Sequence, residues 1–158
     1  MTAFNAYQDR LMNPEQALAL IESNHLVYLN VGTPVPVATL LDARIRELGS
    51  VDMRMVGPGY LPFFDSERDA GEREIELFIG EPSRSSHDTQ RSTYLPNTFM
   101  LGMKDFDSGR EEARMPDVNV VVCSAPNAAG FVQFGAAQWL RKAYLKRCKK
   151  TIAFVNPH

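Results

Sequence analysis

Apolar and polar positions along this chain follow two periods. Leu26-Val27-Tyr28-Leu29-Asn30-Val31, Val51-Asp52-Met53-Arg54-Met55-Val56 and Glu74-Ile75-Glu76-Leu77-Phe78-Ile79 are short apolar runs bounded by turn-forming residues. Asp117-Val118-Asn119-Val120-Val121-Val122-Cys123 and Thr151-Ile152-Ala153-Phe154-Val155 are two more, rich in β-branched side chains. Such runs predict buried strands. Helical spacing lies between them. Asn13 can cap a helix, Pro14 suits its first position and Gln16 can reach back in a capping box, with Ala17, Leu18, Leu20 and Ile21 on its apolar side. A helix from about Val37 to Leu48 ends at Gly49, and another from about Ala136 to Lys149 carries Ala137, Leu140, Tyr144 and Cys148 on one face.

Weaker signals complete the order. Phe4 to Leu11 predicts a short first helix, Ser85 to Arg91 one or two helical turns, and Tyr94-Leu95-Pro96 an extended piece. Thr98 to Phe106 mixes helical spacing with a glycine and stays open. Asn127-Ala128-Ala129-Gly130 predicts a tight turn, with Phe131-Val132-Gln133-Phe134 as a returning strand. Strand, helix, strand is the repeating unit, so the expected fold is α/β: a mostly parallel, Rossmann-like sheet flanked by helices.

Length and composition narrow this further. A chain of 158 residues, 44% hydrophobic and 23% charged, is expected to form a single α/β domain over 1–158. The formal charge of −2 gives no general affinity for nucleic acid or membrane surfaces. No run reaches the roughly 18 apolar residues of a spanning helix, and the start lacks a signal-peptide pattern. Cys123 and Cys148 have no metal-ligand spacing and read as free thiols, which suits a reducing cytoplasm. His25, His87 and His158 stand apart from one another, so no metal is expected.

Candidate chemistry gathers where strands end. Gly32-Thr33-Pro34 joins a strand to a helix, where backbone N–H groups can hold a phosphate or an oxyanion; the plain alternative is a turn of the right shape. Gly57 and Gly59 follow the next strand without a third glycine opening a helix, so a loop-shaping role competes with a ligand role. Arg84 could steer an acidic ligand or simply be solvated. Arg141, Lys142, Lys146, Arg147, Lys149 and Lys150 make the last helix basic; periodicity places them on a solvated outer face, with a phosphate-bearing partner as the alternative. Ser124 lacks the Gly-x-Ser-x-Gly context of a nucleophile elbow.

The stretch from Asp117 through Ser124, Gly130, Phe131 and Gly135, then a helix, then Val155-Asn156-Pro157, resembles the amino-terminal half of the acetyl-CoA hydrolase/transferase family. These are class I CoA-transferases, including acetate and 4-hydroxybutyrate CoA-transferases. Ala125-Pro126 and Asn127 depart slightly from the family's turn, and Phe154 stands where an acidic residue is usual. The resemblance extends weakly over the whole chain.

Several expectations follow from that resemblance. Gly32, Thr33 and Pro34 would lie near the acyl group, although Thr33 replaces a second glycine. Gly57, Gly59, Arg84, Ser124, Asn127 and Gly130 would belong to secondary loops. The substrates would be an acyl-CoA and a carboxylic acid, with coenzyme A as the ligand and no metal. The family's nucleophile is a glutamate that forms a glutamyl thioester with CoA, and it lies in the other half. No carboxylate here matches it, so no catalytic residue is assigned to this chain. The chain alone would be inactive, and a second half or subunit would supply the glutamate in an oligomeric assembly. Tyr60-Leu61-Pro62-Phe63-Phe64 would form part of the surface between the halves, or a satellite core cluster. Two other readings stay open: a hydrolase half, and a non-catalytic scaffold that kept the fold.

Overall fold

The computed structural model describes residues 7–30, 32–56, 73–76, 81–96, 104–109, 114–135 and 140–156. The predicted part of the first helix at 4–6, the loop holding Gly57 and Gly59, the aromatic segment 60–64 and Ala137 lie outside these residues. In chain order the elements are α1 (Pro14–Leu18), β1 (Leu26–Leu29), α2 (Val35–Leu48), β2 (Asp52–Val56), β3 (Arg73–Glu76) and α3 (Glu81–Asp88). β4 (Thr93–Leu95), α4 (Lys104–Asp107), β5 (Val118–Ser124), α5 (Arg141–Arg147) and β6 (Lys150–Asn156) complete them. Thr98–Phe106 thus resolves, at its end, as the start of α4.

The strands form one parallel sheet in the order β4-β3-β2-β1-β5-β6. The predicted α/β class is what the chain adopts. Its two faces are packed because parallel strands must be covered on both sides. Alternate residues therefore feed two cores. Val27 and Leu29 of β1, Met53 and Met55 of β2, Val118 and Val120 of β5 and Ile152 of β6 meet Leu18 of α1 and Val37, Ala38, Leu41 and Ile45 of α2. On the opposite face Tyr28 stacks on Tyr144 of α5, ring centroids 3.7 Å apart, beside Val56 and the partly buried Met115, Leu140 and Cys148. An aromatic pair of this kind adds about 1 kcal/mol beyond the area it buries.

Local chemistry sets the helix ends. Asn13 accepts from the Gln16 amide at 2.8 Å while the Gln16 side chain accepts from the Asn13 amide at 3.1 Å, the predicted capping box. Gly49 ends α2 at φ 72°, a left-handed conformation that a side chain would strain.

At the amino ends of the central strands, charges stitch the sheet. Asp117 accepts from the Leu26 amide at 2.9 Å, from Lys149 at 2.8 Å and from Arg114 at 3.3 Å. Arg114 also donates to Asp52 and to the carbonyl of Asn24, and Lys150 pairs with Glu22 at 2.7 Å.

Three expectations are corrected. Residues 131–135 join no strand ladder; they fold back as a loop, because side-chain oxygens of Ser124 and Asn127 take the amides a second strand would have claimed. Leu140 is left-handed at φ 46°, so among the described residues the last helix begins at Arg141 and ends at Arg147, short of the expected Lys149, while 136–139 lie outside them. Arg141 is only 3% exposed and does not share the solvated face of its basic neighbours.

Candidate functional site

The strand order reverses at β1, whose neighbours are β2 on one side and β5 on the other. In open parallel sheets the loops diverge at such a reversal, leaving a crevice beyond the carboxyl ends of the two strands. The loops at this point are 30–34, after β1, and 125–135, after β5. Both were singled out by sequence, and the topology brings them to one end of the sheet.

The loop after β1 is a short, self-closed turn. Asn30 is buried, and its carbonyl accepts from the Thr33 hydroxyl at 2.8 Å. Gly32 has φ 83°, which only glycine adopts cheaply. Pro34 is the cap residue of α2, no side chain caps that helix, and a proline also lies within its first turn. Pro34 and Pro36 carry no N–H, so the donors that no capping side chain takes at the helix's positive end are the amides of Val35 and Val37. Thr33, standing where a second glycine was expected, spends its hydroxyl on holding the turn.

The loop after β5 is organised around two side chains. Asn127 Oδ1 accepts from the amides of Ala129 and Phe131, both at 3.0 Å. Its own amide donates to the Phe131 carbonyl at 2.9 Å, and Gly130, at φ 83°, donates to the Asn127 carbonyl at 2.8 Å. Ser124 Oγ accepts from the Gln133 amide at 3.0 Å, and the Ser124 amide donates back to the Gln133 carbonyl at 2.8 Å. Ser124 is thus a buttress of this loop. Phe131, at its tip, is 72% exposed.

Register sets the relative height of the loops. β1 pairs with β5 only as far as Leu29 opposite Val120, while β5 continues beside β6 to Ser124 opposite Asn156. At about 3.3 Å per residue the end of β5 stands roughly 13 Å beyond the end of β1. The loop after β5 is therefore a wall that rises above the glycine turn and the start of α2 at this end of the sheet.

Arg141 lies behind that wall. Its guanidinium donates to the Phe134 carbonyl at 2.8 Å and reaches the Val122 carbonyl at 3.5 Å, and it sits 5.4 Å from the centre of the Phe134 ring. Burial lowers its pKa from the ordinary value, and the nearby Tyr28 and Cys123 act in the opposite direction. Sequence reasoning missed it as a buried group, yet a signal was present. Residue 141 precedes Tyr144 by three and Cys148 by seven, the spacing that places it on their face.

The other candidates do not converge here. Arg84 is exposed, and it lies inside α3 rather than in a loop before a helix, between β3 and the edge strand β4. Gly57 and Gly59 are outside the described residues. The basic outer face of α5 carries a shallow depression of about 340 Å³ lined by Leu140, Lys142, Ala143, Lys146 and Arg147, and Arg147 pairs with Asp107 at 2.6 Å. Burial raises the pKa of Cys123, against the nearby Arg141, and pushes that of Cys148 up to about 12, so neither is poised as a thiolate. Among the described residues no His, Cys, Asp and Glu cluster could hold a metal, and no helix is long and apolar enough to cross a membrane.

No protein-family model matches the chain. Over 154 residues, 95% of the chain, its sequence is 28% identical to a 4-hydroxybutyrate coenzyme A transferase of Clostridium kluyveri. Its fold matches the crystal structure of a 4-hydroxybutyrate CoA-transferase from Porphyromonas gingivalis with a TM-score of 0.61, over 96% of the chain and at 18% identity. The chain spans 35% of the first protein and 34% of the second, about a third of each. The resemblance to the amino-terminal half of the acetyl-CoA hydrolase/transferase family, first carried by Asp117, Ser124, Gly130 and Asn156-Pro157, is therefore borne out along nearly the whole chain, in sequence and in fold.

Proposed function

We propose that this chain is the amino-terminal part of an acyl-CoA transferase, which moves CoA between an acyl-CoA and a carboxylic acid, with coenzyme A as its ligand. The observation that carries this reading is a coincidence. A chain similar to a CoA-transferase over 95% of its length places its two sequence-selected loops on either side of the strand-order reversal.

In this reading each group has a limited task. The glycine turn 32–34 and the first amides of α2 face the acyl carbonyl, where fixed donors stabilise negative charge as it develops on oxygen. The loop 125–135, with Ser124 and Asn127 spent on its own shape, forms the side of the site and excludes water from it. A glutamate outside this chain is the nucleophile and takes CoA as a glutamyl thioester. A carboxylate is a weak nucleophile, so that step depends on a prepared oxyanion site and on positioning. The assembly is an oligomer or a complex with a second part. The two free thiols fit a reducing, cytoplasmic setting.

The test is complementation. The purified chain has no CoA-transferase or thioesterase turnover on acetyl-CoA or 4-hydroxybutyryl-CoA, and co-expression with a glutamate-bearing carboxyl-terminal part restores transfer. Turnover by the 158-residue chain alone, free of contaminants, would overturn the missing-nucleophile reading.

A further inference from the structure

We propose that Arg141 is a positioning residue that locks the loop 125–135 in place at the rim of the crevice. This rests on the site assignment above and adds to it a residue with no place among the sequence candidates for that site.

An arginine that is 3% exposed needs a reason, because burying a guanidinium costs several kcal/mol unless its donors are used. Here one nitrogen, Nη1, is used on one structure. The Phe134 carbonyl, at the base of the loop, and the Val122 carbonyl, on the strand that leads into it, lie at 2.8 and 3.5 Å from the same nitrogen. The guanidinium also faces the Phe134 ring at 5.4 Å, a cation–π distance. One side chain from α5 therefore ties the strand before the loop to the residue at its end. Without that tie the loop is held by Asn127 within its own span and by the hydroxyl and amide of Ser124 at the end of β5, which bond Gln133. Those bonds fix the loop's shape and anchor it to β5 at Gln133, whereas Arg141 adds a second anchor from α5, at the Phe134 carbonyl and ring. Lysine is a partial substitute: its ammonium can still donate to the Phe134 carbonyl but lacks the planar surface that faces the ring.

The experiment is hydrogen–deuterium exchange on the full chain, resolved at the amides of Ser124, Ala129, Phe131 and Gln133. In Arg141→Met these amides exchange about tenfold faster, while amides of β1 and β2 keep their protection. Arg141→Lys recovers most of the effect, within about threefold of the parent. Unchanged loop exchange in Arg141→Met overturns the proposal. Should that variant not fold, Phe134→Ala decides. Loss of the ring raises exchange at Phe131 and Gln133 by about threefold, and no rise there overturns the proposal.

In the complemented assembly, Arg141→Met lowers kcat by about tenfold or more with little change in KM, and Arg141→Lys restores most of it. An assembly with no transfer activity at all defeats the functional reading, and the exchange measurement still judges Arg141. A fully active Arg141→Met assembly with a loosened loop overturns the positioning role.

Discussion

The two ends of the sheet are built from different materials. At the amino ends of β1, β2, β5 and β6 the strands are joined by ionised side chains: Asp117 with Lys149 and Arg114, Arg114 with Asp52, Lys150 with Glu22. At the carboxyl ends of β1 and β5 the loops are shaped by neutral groups: the Thr33 hydroxyl, the Ser124 hydroxyl, the Asn127 amide oxygen and three left-handed glycines. Charge pins the fold at the end remote from the proposed site. Neutral side chains bonded to backbone shape the end where an anionic ligand is proposed, leaving its field to the amide donors of α2 and the buried Arg141. A free carboxylate in those loops would repel such a ligand.

The largest expected effect is at the charged end. Asp117 serves three donors with only 13% of its side chain exposed. Asp117→Ala should destabilise the chain by about 3 kcal/mol in urea unfolding, because Arg114 and the Leu26 amide lose an acceptor in a partly buried place. Acid should reveal the same contact. Burial alone would raise the Asp117 pKa, but hydrogen bonds from Lys149 and the Leu26 amide, together with the charge of Lys149 and the bond from Arg114, hold it below the ordinary 3.8. A carboxylate with a depressed folded pKa stabilises the fold above its unfolded pKa and loses that contribution as pH falls through the folded value. Stability should therefore drop below about pH 4, and less steeply in Asp117→Asn. Equal acid sensitivity of the two proteins would remove Asp117 from this role. Loop amides at 124–133, whose bonds involve no carboxylate, should not respond in the same window unless the whole chain unfolds.

Smaller effects are expected at the neutral end. Gly32→Ala places a side chain at φ 83° and should cost about 1–2 kcal/mol. Asn127→Ala frees the amides of Ala129 and Phe131 in an exposed loop, where water replaces the lost acceptor, and should cost about 1 kcal/mol or less. In the complemented enzyme both should reduce transfer by more than their stability change implies. If instead the Asp117 variants lose activity at full folding while these two keep it, the assignment of the ends is reversed.

Much of the scaffold was legible in the sequence because it rests on short-range rules. The capping box at Asn13, the stop at Gly49 and the β-branched runs each act through neighbours a few residues away. The strand order was not legible, since nothing local says that β5 rather than β2 lies on the other side of β1. The site inherits this division. Gly32, Thr33, Pro34, Ser124, Asn127 and Gly130 could be picked out as loop residues, but that their loops follow neighbouring strands at one end of the sheet depends on that order. The expected return strand failed because period-two alternation in Phe131–Phe134 does not reveal that Ser124 and Asn127 compete for the same amides. Arg141 failed because charge outweighed position in reading the helix face.

The smallest expected effect tests the departure from the family pattern in the turn after β1. Thr33 stands where a second glycine is usual, and its hydroxyl donates to the Asn30 carbonyl at 2.8 Å. Thr33→Val keeps the branched shape and removes one hydrogen bond, so it should cost about 0.5–1 kcal/mol in urea unfolding. Thr33→Gly restores the family residue but adds backbone freedom to the unfolded chain as well as losing the bond, and should cost about 1–2 kcal/mol. The two variants separate shape from access. If Thr33 only braces the turn, both lower stability and neither changes the acyl groups accepted by the complemented enzyme. If the threonine methyl narrows the proposed acyl site, Thr33→Gly should widen the range of acyl chains while Thr33→Val, with the same bulk, leaves it unchanged. The hydroxyl's bond to Asn30, inside the turn, favours the first outcome, and a broadened acyl range in Thr33→Gly alone would refute it.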